Sequence, residues 1–186
     1  MVMAEVIMLV GGSRSGKSGY AEKLAAETAE RNSWPVYYIA TAFISDPEFA
    51  DRVEKHRQRR PAAWHTVEEN CDLGKILQST SQPAVFLIDG IGTWVANLMY
   101  RDNYPEFSWG TENEKVFWQY LTAFVHSCSQ ARGTVILVAD EVGMGIVPEN
   151  LPARVFRDLN GWANQRLAQE AARLYHMVCG IPLQVK

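Results

Sequence analysis

Four short runs of the chain are apolar almost without interruption: Glu5–Val10, Val36–Ala40, Val85–Ile88 and Thr134–Val138. Runs of this length, rich in Val, Ile, Leu and Tyr, predict strands buried on both faces, as in a parallel sheet. Between them the apolar period lengthens to that of a helix. Over Ser18–Arg31 it puts Ala21, Leu24, Ala25 and Thr28 on one side and Glu22, Lys23, Glu27 and Glu30 on the other. Asp46-Pro47 predicts the start of a charged helix over Pro47–Arg60, which Pro61 closes. The polar and aromatic stretch Arg101–Thr111 reads as a surface loop before a helix over Glu112–Gln130. Asp140–Asp158 reads as a second long loop, followed by a helix over Leu159–Leu174 with Ala163, Leu167, Ala171 and Leu174 inward. The tail Met177–Lys186 predicts two short strands around Gly180-Ile181-Pro182. Strand and helix in alternation define an α/β fold. With no internal repeat, low-complexity tract or linker, residues 1–186 are expected to form a single domain.

Composition narrows the picture. The chain has 186 residues, 47% of them hydrophobic, which supplies a core and excludes disorder as the main state. No apolar run approaches the roughly 18 residues of a membrane span. The start, MVMAEVIMLVGG, shows neither a basic region nor a small-residue cleavage site, so a cytoplasmic location is expected. Three cysteines, Cys71, Cys128 and Cys179, share no CxxC spacing; they fit buried thiols better than a disulfide framework or a zinc site. A net charge of −3 argues against a nucleic-acid partner for the chain as a whole.

The chemistry begins at residues 11–18. Gly11-Gly12-Ser13-Arg14-Ser15-Gly16-Lys17-Ser18 fits G-x-x-x-x-G-K-S/T, between an apolar strand and an amphipathic helix. Glycines there let the backbone wrap a polyphosphate, so that N–H groups and the helix N-terminus face it. Lys17 is placed to reach the terminal phosphates, and the Ser18 hydroxyl to ligate Mg²⁺. Such a loop works with a carboxylate at the end of a neighbouring apolar strand. Asp89, closing Val85–Ile88, is the candidate second metal ligand. Asp140 and Glu141 follow another apolar strand and are expected at the carboxyl edge of the sheet, either near the ligand or, for Asp140, as a helix cap.

A second cluster lies in Pro47–Arg60, where Arg52, Lys55, Arg57, Arg59 and Arg60 surround His56. Spacing alone leaves two readings open: a solvated or RNA-binding basic face, or guanidiniums gathered on a phosphate. In the second, a neutral imidazole acts as base or nucleophile, since a cationic surround favours its neutral form. His65 is expected on a strand beside Trp64, His126 on a helix and His176 near a strand start, all structural.

Taken in order, GGSRSGKS, YIATA, RVEKHRQRRPAAWHTVEE, LIDGIGTWVANLM, DEVGMGIVPENLPARVFRDLNGWANQRLA and the VCGIPLQVK tail resemble the bifunctional adenosylcobinamide kinase / adenosylcobinamide-phosphate guanylyltransferases of vitamin B12 biosynthesis. The resemblance implies a P-loop NTPase-type, three-layer fold with a mainly parallel sheet, and a homotrimer with sites near subunit boundaries. It also implies two activities. ATP or GTP phosphorylates adenosylcobinamide; GTP then transfers GMP, through a guanylylated histidine, to adenosylcobinamide phosphate. The family's histidine falls at His56. By the same resemblance, nucleotide contacts come from the Gly11–Ser18 loop, from Ala40, Thr41 and Ala42, from Arg57, Gln58, Arg59 and Arg60, from Glu68 and from Asp89. Two segments depart from many relatives: Asp89-Gly90-Ile91-Gly92-Thr93-Trp94 stands in place of Asp-Cys-Leu-Thr-Leu-Trp, and Asp140 in place of Asn. A monofunctional small-molecule kinase and a nucleotide-dependent binding module are the alternative readings. Trp94, Tyr100, Tyr104, Phe107 and Trp109 are of a kind to stack on a corrinoid ring, but aromatic residues at loops and helix faces are more often core or subunit contacts, and none is assigned to that site.

Overall fold

The structure, a computed structural model, describes residues 4–42, 61–101 and 106–186. The expected helix over Pro47–Arg60, with His56, Arg57, Gln58, Arg59 and Arg60, lies outside the described residues, as does Tyr104. Among the described residues seven strands form one sheet: β1 (Glu5–Gly11), β2 (Val36–Ala40), β3 (His65–Glu68), β4 (Ala84–Asp89), β5 (Gly133–Asp140), β6 (Arg173–Val178) and β7 (Ile181–Gln184). Their spatial order is β3-β2-β4-β5-β1-β6-β7. All neighbouring pairs are parallel except β6 with β7.

The described helices are α1 (Lys17–Asn32), α2 (Leu73–Gln78), α3 (Ile91–Tyr100), α4 (Thr111–Gln130) and α5 (Leu151–Glu170). Side-chain alternation along the strands divides the core in two. Val6, Met8, Phe86, Ile88, Val135 and Leu137 face a layer built by α2 to α5, in which Trp94, Phe117, Leu121, Phe124, Leu159, Ala163 and Leu167 are buried. Ile7, Leu9, Val85, Leu87, Ile136 and Val138 face the other way, under Ala21 and Ala25 of α1. The continuous apolar runs of the sequence are thus strands covered on both sides, in a three-layer α/β fold with a mainly parallel sheet.

Two expectations near the C-terminal end are corrected. The loop expected over Asp140–Asp158 ends at Asn150, whose side-chain Oδ1 accepts the backbone N–H of Ala153 at 2.8 Å and caps α5, with Pro152 in its first turn. Residues 152–157 are only half-buried, so this turn and a half carries no clean apolar stripe to read. The helix also stops at Glu170, not at Leu174. Leu174 lies in β6, opposite Met8 of β1, so it belongs to the sheet and not to the helix's inner stripe. The tail strand pair is present, but its first strand begins at Arg173, four residues ahead of Met177. His176 accordingly sits well within β6. Cys179 (φ 50°) and Gly180 (φ 82°) make the turn, the left-handed pair that a two-residue hairpin requires. Of the three thiols expected in the interior, only Cys128 is buried; Cys71 is half-buried, and the turn carries Cys179 to the surface.

Candidate nucleotide-binding site

Residues 11–18 join the end of β1 to the start of α1. Gly16, at φ 95°, caps the helix from the left-handed region, and Tyr20 N–H donates to its carbonyl at 3.1 Å as the first helical bond. The preceding turn is closed by Ser15 N–H on Gly12 O at 3.3 Å. The β6–β7 turn supports the loop from outside: Gly180 N–H donates to Ser15 O at 2.9 Å. A Cβ on Gly16 would stand 2.9 Å from Gly180 Cα, and one on Gly11 would stand 2.7 Å from Met177 O. Glycine at these two positions is therefore a packing requirement. At Gly12, by contrast, a Cβ would meet nothing within 4 Å, which leaves open space over the loop.

Lys17 is 7% exposed, and its Nζ lies against its own loop, donating to Gly11 O at 2.9 Å and Gly12 O at 2.7 Å. A third contact runs to Asp140 Oδ1 at 3.0 Å. The three donors of the ammonium are thus directed over the cradle. Ser15 Oγ is buried and finds no hydrogen-bond partner among the described residues, although a buried hydroxyl ordinarily has one. An anion seated on the α1 N-terminus would supply it.

Parallel register aligns the other candidates along one edge. Asp140 is opposite Gly11, Asp89 opposite Val138 and Ala40, and Ala40 opposite Glu68. All of them end their strands at the carboxyl edge, where open α/β sheets bind ligands. At about 4.8 Å per strand, Asp89 stands two strands, roughly 10 Å, from β1, and the exposed Glu68 four strands, roughly 19 Å. The expected acidic groups are therefore spread along the edge: Asp140 meets the loop at Lys17, while Asp89 and Glu68 stand progressively farther off. Asp89 Oδ2 accepts from Tyr38 Oη–H at 2.9 Å. Neither Asp89 nor Asp140 caps a helix: Gly90 occupies the N-cap of α3 and Asn150 that of α5.

Thr41 is fully buried. Its hydroxyl donates to Gly90 O at 2.8 Å and accepts Gly90 N–H at 3.1 Å, while Asn97 Nδ2 donates to Thr41 O at 2.7 Å. Its side chain therefore ties the end of β2 to the turn after Asp89, between the half-buried Ala40 and Ala42. Trp94 belongs to the core, packed on Phe124 and donating to Cys71 O at 2.8 Å. Tyr100, Phe107 and Trp109 form a chain of ring contacts. Sequence reasoning missed Tyr38, Asn97, Asn160 and Asn164. The last two sit one turn apart on the inner side of α5 and both donate to Asp140 O, at 2.8 and 3.0 Å. Polar residues on an otherwise apolar stripe were the available signal.

A strand, glycine loop and helix with a buried lysine, at the carboxyl edge of a parallel sheet, define a P-loop nucleotide-binding protein of the α/β class. The family model described as cobinamide kinase / cobinamide phosphate guanyltransferase matches residues 7–185. The bifunctional adenosylcobalamin biosynthesis protein CobU of Escherichia coli K12 is 37% identical over 97% of this chain and 99% of its own. CobU of Salmonella typhimurium LT2 is 38% identical over the same shares. CobP of Pseudomonas aeruginosa PAO1 is 35% identical over 96% of each chain. The chain belongs to the cobinamide kinase / cobinamide phosphate guanyltransferase family, and it is a bifunctional transferase with that pair of activities.

Proposed function

We propose that the two activities share the Gly11–Ser18 loop and that His56 carries GMP between substrates. The observation that supports this most directly is the loop itself, held open above Gly12 with Lys17 laid along its inner side. In the kinase step the substrate hydroxyl oxygen attacks the γ-phosphorus of ATP or GTP. The bond to the β–γ bridging oxygen breaks, the nucleoside diphosphate leaves and the hydroxyl proton is lost. In the transfer, an imidazole nitrogen of His56 attacks the α-phosphorus of GTP and pyrophosphate departs. A phosphate oxygen of adenosylcobinamide phosphate then displaces His56, giving adenosylcobinamide-GDP. Gly12, Ser13, Arg14 and Gly16 offer backbone amides to phosphates, Gly11 and Ser15 shape the loop that presents them, and Lys17 contributes positive charge as negative charge accumulates on the leaving oxygens. Arg57, Gln58, Arg59 and Arg60 follow His56 in the chain and are assigned to nucleotide phosphates on the family resemblance. Ala40, Thr41, Ala42 and Glu68 are assigned to the nucleotide further along the edge, Thr41 through its backbone.

The donor set fits Mg²⁺: a hydroxyl at Ser18 and a carboxylate at Asp89. Among the described residues no group of three or more His, Cys, Asp and Glu side chains forms a dedicated cage. Few protein ligands plus substrate phosphates is the usual coordination of this ion. Bound there, it would neutralise charge on the departing phosphates.

We further propose a single domain over 1–186, a homotrimer, a cytoplasmic location and no nucleic-acid partner. Self-association is supported by apolar side chains left in solvent: Met144, Ile146 and Val147 on the loop before α5 with Leu151 at the start of that helix, and Ile181 and Leu183 on the edge strand β7 with Val185 just after it. Among the described residues no helix is long and apolar enough to cross a membrane.

The experiment is to incubate the protein with Mg²⁺ and GTP labelled at the α-phosphate, then denature it. Acid-labile, alkali-stable label on the parent and none on His56→Ala is the expected result. Lys17→Ala should lose both activities by at least about 100-fold. Equal labelling of parent and His56→Ala would move the intermediate to another residue.

A further inference from the structure

Asp140 ends β5 opposite Gly11 and is held from two sides. Its backbone carbonyl accepts both carboxamides of α5, Asn160 at 2.8 Å and Asn164 at 3.0 Å. Asn160 is 1% exposed, so the anchor is interior and the end of β5 is fixed in place. On the side-chain end, Oδ1 meets Lys17 Nζ at 3.0 Å. Oδ2 lies over the backbone of α3, 2.8 Å from where a Cβ on Gly92 would stand. Any larger residue at Gly92 would push the carboxylate from this position.

The arrangement fills Lys17. An ammonium has three N–H donors, and here Gly11 O, Gly12 O and Asp140 Oδ1 accept all three. A phosphate oxygen that approaches Lys17 must take the place of one acceptor. The two carbonyls are part of the cradle, whereas Asp140 is a side chain 43% exposed and free to give way. Phosphate charge arriving at Lys17 also arrives beside a carboxylate of the same sign.

We propose that Asp140 is a positioning residue that acts as an internal counter-anion. It occupies Lys17 in the nucleotide-free protein, competes with the polyphosphate for it, and so sets how tightly nucleotide is held and how quickly the spent nucleotide leaves. The proposal rests on Lys17 gripping phosphate, as argued above. The two are separable: unaltered GTP binding by Lys17→Ala would remove that reading, whereas the behaviour of Asp140→Asn tests this one alone.

The test compares the intact protein with Asp140→Asn, which keeps the shape and removes the charge. Dissociation constants are measured by calorimetry for GTP, inorganic tripolyphosphate and guanosine. Because the Lys17–Asp140 pair is partly in solvent, the expected gain is about fivefold tighter binding of GTP and of tripolyphosphate. Guanosine, which carries no phosphate, should bind the two proteins alike. In steady state the nucleotide KM and kcat should fall together, since held product leaves more slowly, and Asp140→Glu should restore parental affinity. Tripolyphosphate affinity within twofold of the parent, or weaker, overturns the proposal. So does an equal gain for guanosine, which would mean a general change of shape. If Asp140→Asn melts at the assay temperature, Asp140→Ser is measured against the same outcomes.

Discussion

Cys128 and Cys179 carry the same thiol into opposite surroundings. Cys128 lies in the layer between α4 and the sheet, and burial pushes its pKa far above the usual thiol range because a thiolate there would lose its hydration. Cys179 stands in the exposed hairpin turn. Only the thiolate attacks an alkylating reagent, so brief iodoacetamide treatment at pH 8 should modify Cys179 and leave Cys128 untouched until the protein is denatured. Peptide mass mapping reads the result; labelling of native Cys128 would contradict the packing of α4. The same scale shows what a sequence hides. The places of Lys17 and Ser18 at the start of α1, and of Asp89 and Asp140 at strand ends, were legible because each belongs to a motif or ends an apolar run. Tyr38 and Asn97 were not, for they act by reaching across from other elements to Asp89 and Thr41. Such long-range hydrogen bonds leave no local pattern.

Among the elements, β1, β2, β4, β5, α1 and α4 could be placed to within a residue or two, because burial on both faces writes unbroken apolar runs and an amphipathic helix writes a period. β3 was less visible: it is four residues long at the sheet edge and mostly exposed, so its composition is not that of a buried strand. α5 began eight residues before its expected start because its capping residue, Asn150, stands in a loop rich in other turn formers. Backbone conformation at the glycine loop supplies a second prediction. Gly16→Ala places a methyl 2.9 Å from Gly180 Cα at a φ of 95°, and should destabilise the protein by about 2 kcal/mol. Gly12→Ala meets no neighbour and should change stability by less than about 0.5 kcal/mol, while weakening GTP binding because the methyl enters the open space. Thermal melts with and without GTP distinguish the pair. A similar loss of stability in both would mean that Gly12, too, is packed.

At the scale of the whole molecule, one sheet edge carries the candidate nucleotide-site residues while apolar side chains remain in solvent on the loop after Asp140 and on β7. Light scattering on the purified protein should give a mass of three times 20.9 kDa. A Met144→Glu, Ile146→Glu double variant, which puts charge among the exposed apolar groups, should lower it; a parent of single-chain mass would remove the trimer. The hairpin that props the phosphate loop bears on something else, the order in which the protein is made. Residues 11–18 leave the ribosome well before residue 180, yet the amide that fixes Ser15 and the backbone that confines Gly16 belong to Gly180. During synthesis the loop has its motif but not its wall. A chain cut short before residue 180 would carry every residue of the P-loop and still lack the support that shapes it. Until Gly180 has been made and folded back, the phosphate loop therefore has its sequence without its shape.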